Sequence, residues 1–243
     1  MLLSLPDDRL KPKGSRDPLG FELVWSYFGR KIVGNLTTIT SSLENFSVAM
    51  LGFYLVNRLL PNSSEQKEAL DCFLRYEQVT GYLRYVAGHH GIMGITRVTK
   101  RMRGEGELTL GLGKQSQILS DQASYGLWGL YSAAMRSTGL ISGDRRVPTN
   151  EGIELGELIA HELGEENVQK LISWMKGDQS IDRAMLDDGL AQIYVTAINN
   201  SKVRGRLLEQ LGTSGKTTGD QASLWRYSQD VLKAALGRGN EIK

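Results

Sequence analysis

The run NFSVAMLGFYLVNRLL, residues 45–60, is the most apolar segment of the chain. Asn57 and Arg58 interrupt it after about a dozen residues, whereas a helix crossing a bilayer needs roughly 20 apolar residues. It therefore reads as a core helix, and the rest of the chain must supply the elements that cover it. At 243 residues the chain can build a substantial core, as one large domain or two small ones packed together. Apolar residues at 40% and charged residues at 23% suit a globular fold of that kind.

Helical patterns dominate on both sides of this run. Residues 1–17 carry two prolines, a glycine and mixed charge, and read as an extended arm. Asp17-Pro18 resembles an N-cap with proline at the first helical position, and LGFELVWSYFGRKIV follows with apolar residues at helical spacing. Ser41 stands three residues before Glu44, the spacing of a capping box ahead of the apolar helix, which stops at Pro61. SSEQKEALDCFLRYEQVTGYLRYVAG repeats the signal and runs amphipathically to Gly88. In this helix Arg75, Glu77 and Arg84 are expected to pair with neighbours.

Beyond Gly88 the texture changes. The expected order is a helix over 89–103, a short strand over 107–110, and helices over 114–120 and 124–138. A strand over 139–142, a Ser-Gly-Asp turn and a strand over 145–149 come next. Helices are expected again over roughly 151–176, 180–198, 199–211 and 219–236. The fold expected is mainly α, a helical bundle with a small β-hairpin. It divides into an arm (1–17), an N-terminal helical region (18–88), a central region (89–160) and a C-terminal helical region (161–243).

Within the central region, TGLISGDRRVPTNEGIEL places a basic hairpin between two helices. Gly139 can take the left-handed conformation that ends a helix, and Gly143 beside Asp144 supplies the turn. Leu140, Ile141 and Val147 give the hairpin an apolar face. Pro148 belongs on an edge strand, where no ladder hydrogen bond is lost. This element order and turn chemistry resemble the winged helix-turn-helix of bacterial regulators, over about residues 89–160. The resemblance implies a wing with Arg145 and Arg146 near its tip, placed to contact phosphate or enter a minor groove. It also implies a recognition helix, SYGLWGLYSAAMRS, that would offer Ser124, Tyr125 and Arg136. Trp128 and Tyr131 on that helix read as packing residues. Gly126 and Gly129, each costing roughly 1 kcal/mol in a helix, imply that something approaches closely.

Further basic residues could reach a phosphate backbone. Arg97, Lys100, Arg101 and Arg103 cluster in RVTKRMR, and Lys114 follows; a solvated basic helix end explains them equally simply. Net charge is +2, but residues 1–103 hold fourteen Lys and Arg against nine Asp and Glu, while the remainder is acidic. That bias is compatible with an anionic partner such as nucleic acid. The six glutamates of NEGIELGELIAHELGEEN should face away from it.

Other motifs carry little chemistry. LGTSGKTTGD lacks the first glycine of a phosphate-binding loop, since position 210 is glutamine. The adjacent His89 and His90 point to different sides, and Glu157, His161 and Glu165 read as a solvent-facing stripe. Three histidines and one cysteine leave metal catalysis little to work with, so no cofactor is expected. The single cysteine, Cys72, and the lack of a signal-like start suggest a reducing cytoplasm and no membrane partner. Two functions stand open. One is a non-enzymatic protein that binds double-stranded DNA. The other is an assembly subunit whose winged-helix surface docks other proteins or a second copy. The general texture is similar to prokaryotic proteins from anti-phage defence and mobile-element neighbourhoods.

Overall fold

Ser42 starts the apolar helix. Its hydroxyl accepts the backbone N–H of Asn45 at 3.2 Å, and helix α1 then runs Leu43–Leu59. The cap is therefore Ser42 and not Ser41, which frees Glu44 to serve a different partner. The computed structural model describes residues 41–186 and 188–239, with Gly20, Phe21, Leu23, Val24, Tyr27, Phe28, Asn35, Ile39 and Thr40. The expected arm over 1–17 lies outside them. Within the helix expected over 19–33, the described residues Phe21, Leu23, Val24, Tyr27 and Phe28 are helical.

Helix α2 (Gln66–Val86) packs along α1, and both are buried over most of their length. Helix α3 (Ile95–Arg103) is shorter than expected because its start is set by Gly94. Strand β1 (Leu108–Leu110) follows, then a single helical turn α4 (Gln122–Tyr125) and helix α5 (Leu127–Ser137). The hairpin forms as anticipated: β2 (Ile141–Ser142) and β3 (Val147–Pro148) are antiparallel, with Ile141 opposite Pro148. Gly139 has φ +76 and Gly143 φ +65, the conformations these turn positions were expected to need. Helices α6 (Asn150–Leu163) and α7 (Glu165–Met175), strand β4 (Gln179–Ile181), a 3₁₀ turn over Arg183–Leu186 and α8 (Asp188–Ile198) come next. The described part closes with α9 (Ser201–Thr213) and α10 (Gly219–Gly239).

The architecture is mainly α. Apolar residues from Phe46 to Leu211 join one buried cluster, with α1 enclosed by α2, α5, α6 and α9. Phe53, Phe73 and Trp128 meet ring against ring at its centre. Strand β1 does not join the hairpin. It pairs antiparallel with the distant β4, Leu108 opposite Ile181, and so fastens the central region to the C-terminal helices.

Four expected helices need correcting. Residues 114–120 form turns, because carbonyls that a helix would use internally are claimed by arginine side chains described below. The helix expected over 124–138 breaks at Gly126, where a Cβ would lie 2.4 Å from the Gln122 carbonyl and 2.6 Å from the Glu77 carboxylate. The one expected over 151–176 is split by Gly164 into α6 and α7. The first part of the helix expected over 180–198 is strand β4 and the 3₁₀ turn.

One long-range tie stands apart from the core. The Asn35 side-chain amide donates to the Leu211 carbonyl at 3.0 Å, the Ser214 carbonyl at 2.8 Å and the Thr217 hydroxyl at 2.8 Å. It thereby satisfies carbonyls left open where α9 ends.

Two glycines make the packing testable. A Cβ on Gly156 of α6 would fall 2.5 Å from the Tyr54 Cβ and Cγ, whereas Gly205 of α9 is exposed with open space around it. Gly156→Ala is expected to lower stability by about 1–3 kcal/mol through overpacking. Gly205→Ala should raise it by up to ~1 kcal/mol through helix propensity. Thermal melts followed by circular dichroism read both, and they should move in opposite directions.

Candidate nucleic-acid interface

Helix α3 has a single buried residue, Val98, so its remaining side chains are available for surface work. They divide into two groups. Arg97 donates to the carbonyls of Gln117 at 3.3 Å and Leu119 at 2.7 Å. Arg101 donates to the carbonyls of Gln115, Ser116 and Gln117 and to the Tyr82 hydroxyl at 3.0 Å. Its own carbonyl accepts from Arg183 at 2.7 Å. These two arginines fold the 113–120 loop over the helix, and their fixed forks make them suited to collecting several carbonyls at once. Lys100, Arg103 and Lys114 are exposed, and none of the ion pairs among the described residues involves them.

Together α3 and the loop enclose an open cleft of about 610 Å³, lined by Arg97, Lys100, Arg101, Lys114, Gln115 and Ser120. Among the described residues four cations and no carboxylate line it. A smaller recess of about 180 Å³ shares Arg101 and Gln115 with the cleft and is bordered by Glu105, Glu107 and Arg183. Sequence reasoning found the four cations but missed Gln115, Ser120 and Arg183. The glycines and small polar residues of LGLGKQSQ were the only local sign that a loop, and not a helix, completes the site.

The hairpin arginines sit elsewhere than expected. The exposed tip is Gly143 and Asp144, whereas Arg145 and Arg146 are half-buried and turned toward the body. Arg145 donates to the Leu60 carbonyl, which caps the end of α1, and its Nε is buried without a partner. Arg146, at φ +60, donates through Nε to the Ser132 hydroxyl at 3.0 Å and reaches the Asp144 carbonyl. Its guanidinium lies 4.3 Å from the centre of the Trp128 ring. Burial, with the charge of Arg136 nearby, lowers its pKa. A cation stacked on a core tryptophan pins the hairpin to α5.

Helix α5 shows a corresponding division. Trp128 and Tyr131 are buried, as their packing role required. Arg136 is exposed, 3.7 Å from the Asp144 carboxylate. Ser124 and Tyr125 belong to the separate turn α4, where Tyr125 is 61% exposed. None of these three lines the basic cleft.

A buried polar network supports the cleft from beneath. The Glu77 carboxylate accepts the Leu127 backbone N–H at 2.6 Å and the Gln122 side-chain amide at 2.9 Å. Gln122 also accepts the Ile118 N–H at 3.2 Å, and Gln78 exchanges two hydrogen bonds with the Gly111 backbone. Glu77 thus occupies the N-terminus of α5, a favourable place for an anion. On the far side, Arg84 meets Glu44 at 2.6 Å with His89 3.1 Å from the same carboxylate. Burial works to raise the Glu44 pKa, but Arg84 and His89 outweigh it and hold the carboxyl below its ordinary value.

The remaining sequence candidates stay apart. Glu165 is paired with Arg58, and His161 is exposed beside Glu162. Among the described residues no cluster of His, Cys, Asp or Glu could hold a metal ion, and no helix is long and apolar enough to cross a membrane.

Burial pushes the Glu77 carboxyl up to about 7, against the opposing pull of the Leu127 N–H, Gln122 and Arg84. A carboxyl whose folded pKa is raised stabilises the protein fully below its ordinary value of 4.5, and that stability is lost as pH rises through about 7. The loss is on the order of 3 kcal/mol. Chemical denaturation across this range should show it in the wild type, and Glu77→Gln should flatten the dependence. No family model, curated protein or solved structure matches this chain.

Proposed function

We propose that this protein binds double-stranded DNA without performing chemistry on it, through the cleft between α3 and the 113–120 loop. The observation that carries this reading is the lining itself: Arg97, Lys100, Arg101 and Lys114 converge on one concavity, with no carboxylate among the described residues that line it. Phosphodiester oxygens are the ligand such a surface attracts most strongly, with affinity that falls as salt rises. The two lysines and Arg103 supply mobile charge, while Arg97 and Arg101 hold the loop that shapes the cleft. Arg145 and Arg146 enter this reading as residues that fix the hairpin. The contact assigned to them on the winged-helix pattern passes to α3. The setting we infer is a prokaryotic DNA-associated system, anti-phage defence included.

A second reading makes the chain an assembly subunit. It is favoured by exposed apolar side chains on α10, where Leu224, Tyr227, Val231 and Leu232 face outward. The two readings are compatible, since the basic cleft and α10 share no residue.

Binding to random-sequence duplex DNA across a salt series tests the first reading. Lys100→Ala/Lys114→Ala is expected to weaken binding and to reduce the slope of log affinity against log salt by about two, one for each lost phosphate contact. Arg145→Ala/Arg146→Ala should leave the slope unchanged while lowering thermal stability. No measurable affinity of the wild type at low salt, or a slope untouched by the lysine changes, would overturn the assignment.

A further inference from the structure

The loop that walls the basic cleft is anchored from inside by a chain of hydrogen bonds ending on one carboxylate. Glu77 is 3% exposed, and both of its oxygens are occupied. Oε1 accepts the Leu127 N–H at 2.6 Å, and Oε2 accepts the Gln122 side-chain amide at 2.9 Å. Gln122 is fully buried and uses its whole amide. Its NH2 group donates to Glu77 and to the Leu74 carbonyl at 2.9 Å. Its oxygen accepts the Ile118 N–H at 3.2 Å and the Gln78 amide at 3.3 Å. Ile118 lies in the 113–120 loop, whose Lys114, Gln115 and Ser120 line the cleft. The donors in this chain all point one way, from Ile118 through Gln122 to Glu77, and an ionised carboxylate alone accepts at both oxygens.

We infer that Glu77 is a proton-operated latch on this loop, closed when its carboxyl is ionised and opened by one proton on Oε2. A proton there sets an O–H donor against the Gln122 NH2. The amide relieves the conflict by turning over, so that its oxygen accepts from Glu77. Its NH2 then faces the Ile118 N–H and the Gln78 amide, donor against donor, and the loop loses its inner anchor. The Leu127 N–H keeps its bond to Oε1, so α5 stays in place.

Burial brings this carboxyl to titrate at about 7, which sets the latch near neutrality. Arg84, two turns along α2, is the charged group that acts on it, and Tyr76 beside it is kept neutral by burial. Toward Glu77, α4 and α5 present the uncharged Gln122 and the Leu127 N–H, while Asp121 ahead of α4 is turned to the Ser124 N–H. Charged groups on the other elements around α2 are engaged elsewhere. Arg75 meets Asp178, Glu44 meets Arg84 and His89, Arg101 holds the loop carbonyls, and Arg183 holds the Arg101 carbonyl.

The consequence for DNA rests on the reading of the cleft as a duplex-binding surface, whereas the latch itself does not. Lysine and arginine keep their charge between pH 6 and 8, and no histidine among the described residues lines the cleft. An ordinary basic surface gains affinity as pH falls, because histidines elsewhere gain charge. Here the opposite follows, since a released loop no longer holds Lys114 toward the cleft. About nine carboxyls in ten are ionised at pH 8 and about one in ten at pH 6, so affinity should fall about tenfold with the competent fraction.

Amide hydrogen exchange of the full chain without DNA, at pH 8 and pH 6 and corrected for the intrinsic rate at each, reads the latch directly. Ile118 and its loop neighbours should lose about tenfold in protection at pH 6. Amides of α1 should keep or gain theirs, because a raised carboxyl makes the fold more stable at the lower pH. An Ile118 amide equally protected at both pH values ends the proposal. Duplex binding at constant ionic strength then reads the coupling, with affinity about tenfold lower at pH 6. Glu77→Gln cannot satisfy the Leu127 N–H and the Gln122 amide together, so it should bind weakly and equally at both pH values, with Ile118 unprotected throughout. Affinity that holds or rises as pH falls would refute the coupling to the cleft. A change in Ile118 protection with no duplex bound at either pH would remove the DNA reading and leave the latch standing. Should the variant fail to fold, the wild-type exchange and binding series decide by themselves.

Discussion

Buried polar groups must find partners, and helix α2 buries an unusual number of them. Arg75, Glu77, Gln78, Thr80 and Arg84 are all sequestered on one helix that also packs apolar residues against α1. Leaving any of them unmet would cost about 1–3 kcal/mol, more for the charged ones. Each demand recruits a different part of the chain. Gln78 fixes Gly111, Glu77 fixes the start of α5, and Arg84 holds Glu44 and the Gly91 carbonyl. Arg75 reaches Asp178 just ahead of β4. The irregular middle of the protein is thus organised by hydrogen bonds to one helix as much as by its own local preferences.

Arginine performs a related task at the surface. Arg97, Arg101, Arg145 and Arg146 all direct guanidinium groups at backbone carbonyls, loops and an aromatic ring. This explains why a cluster of basic residues in the sequence does not translate one for one into a binding surface. The lysines, with a single point charge and no fork, are left outward. A basic cleft emerges in which half the cations build the walls and the others remain open to a ligand.

Much of the fold was legible from patterning. The apolar run at 45–60 specified a core helix, and the hairpin was readable from Gly139, Gly143 and Pro148 because each turn position has a distinct chemical need. Trp128 and Tyr131 were assigned to packing for the same kind of reason. The pairing of β1 with β4 was not legible, since two three-residue strands some seventy residues apart leave no periodic trace. Nor was the turn structure of 114–120, where side chains from another helix outcompete a local helical preference. The inward set of Arg145 and Arg146 depends on the Leu60 carbonyl and the Trp128 face, partners that no local reading of GDRRV could supply. For the polar stretch RYEQVTG the sequence suggested only pairing with neighbours, because burial of such residues shows only once their distant partners are in place.

The bonds from Asn35 to the end of α9 and the following loop have a consequence for how the molecule can be dissected. They join a residue ahead of the first core helix to the joint from which α10 departs. Trimming the leading segment would thus unlatch the base of the trailing helix, and a fragment cut at Ser41 would inherit a looser C-terminal arm than the intact chain.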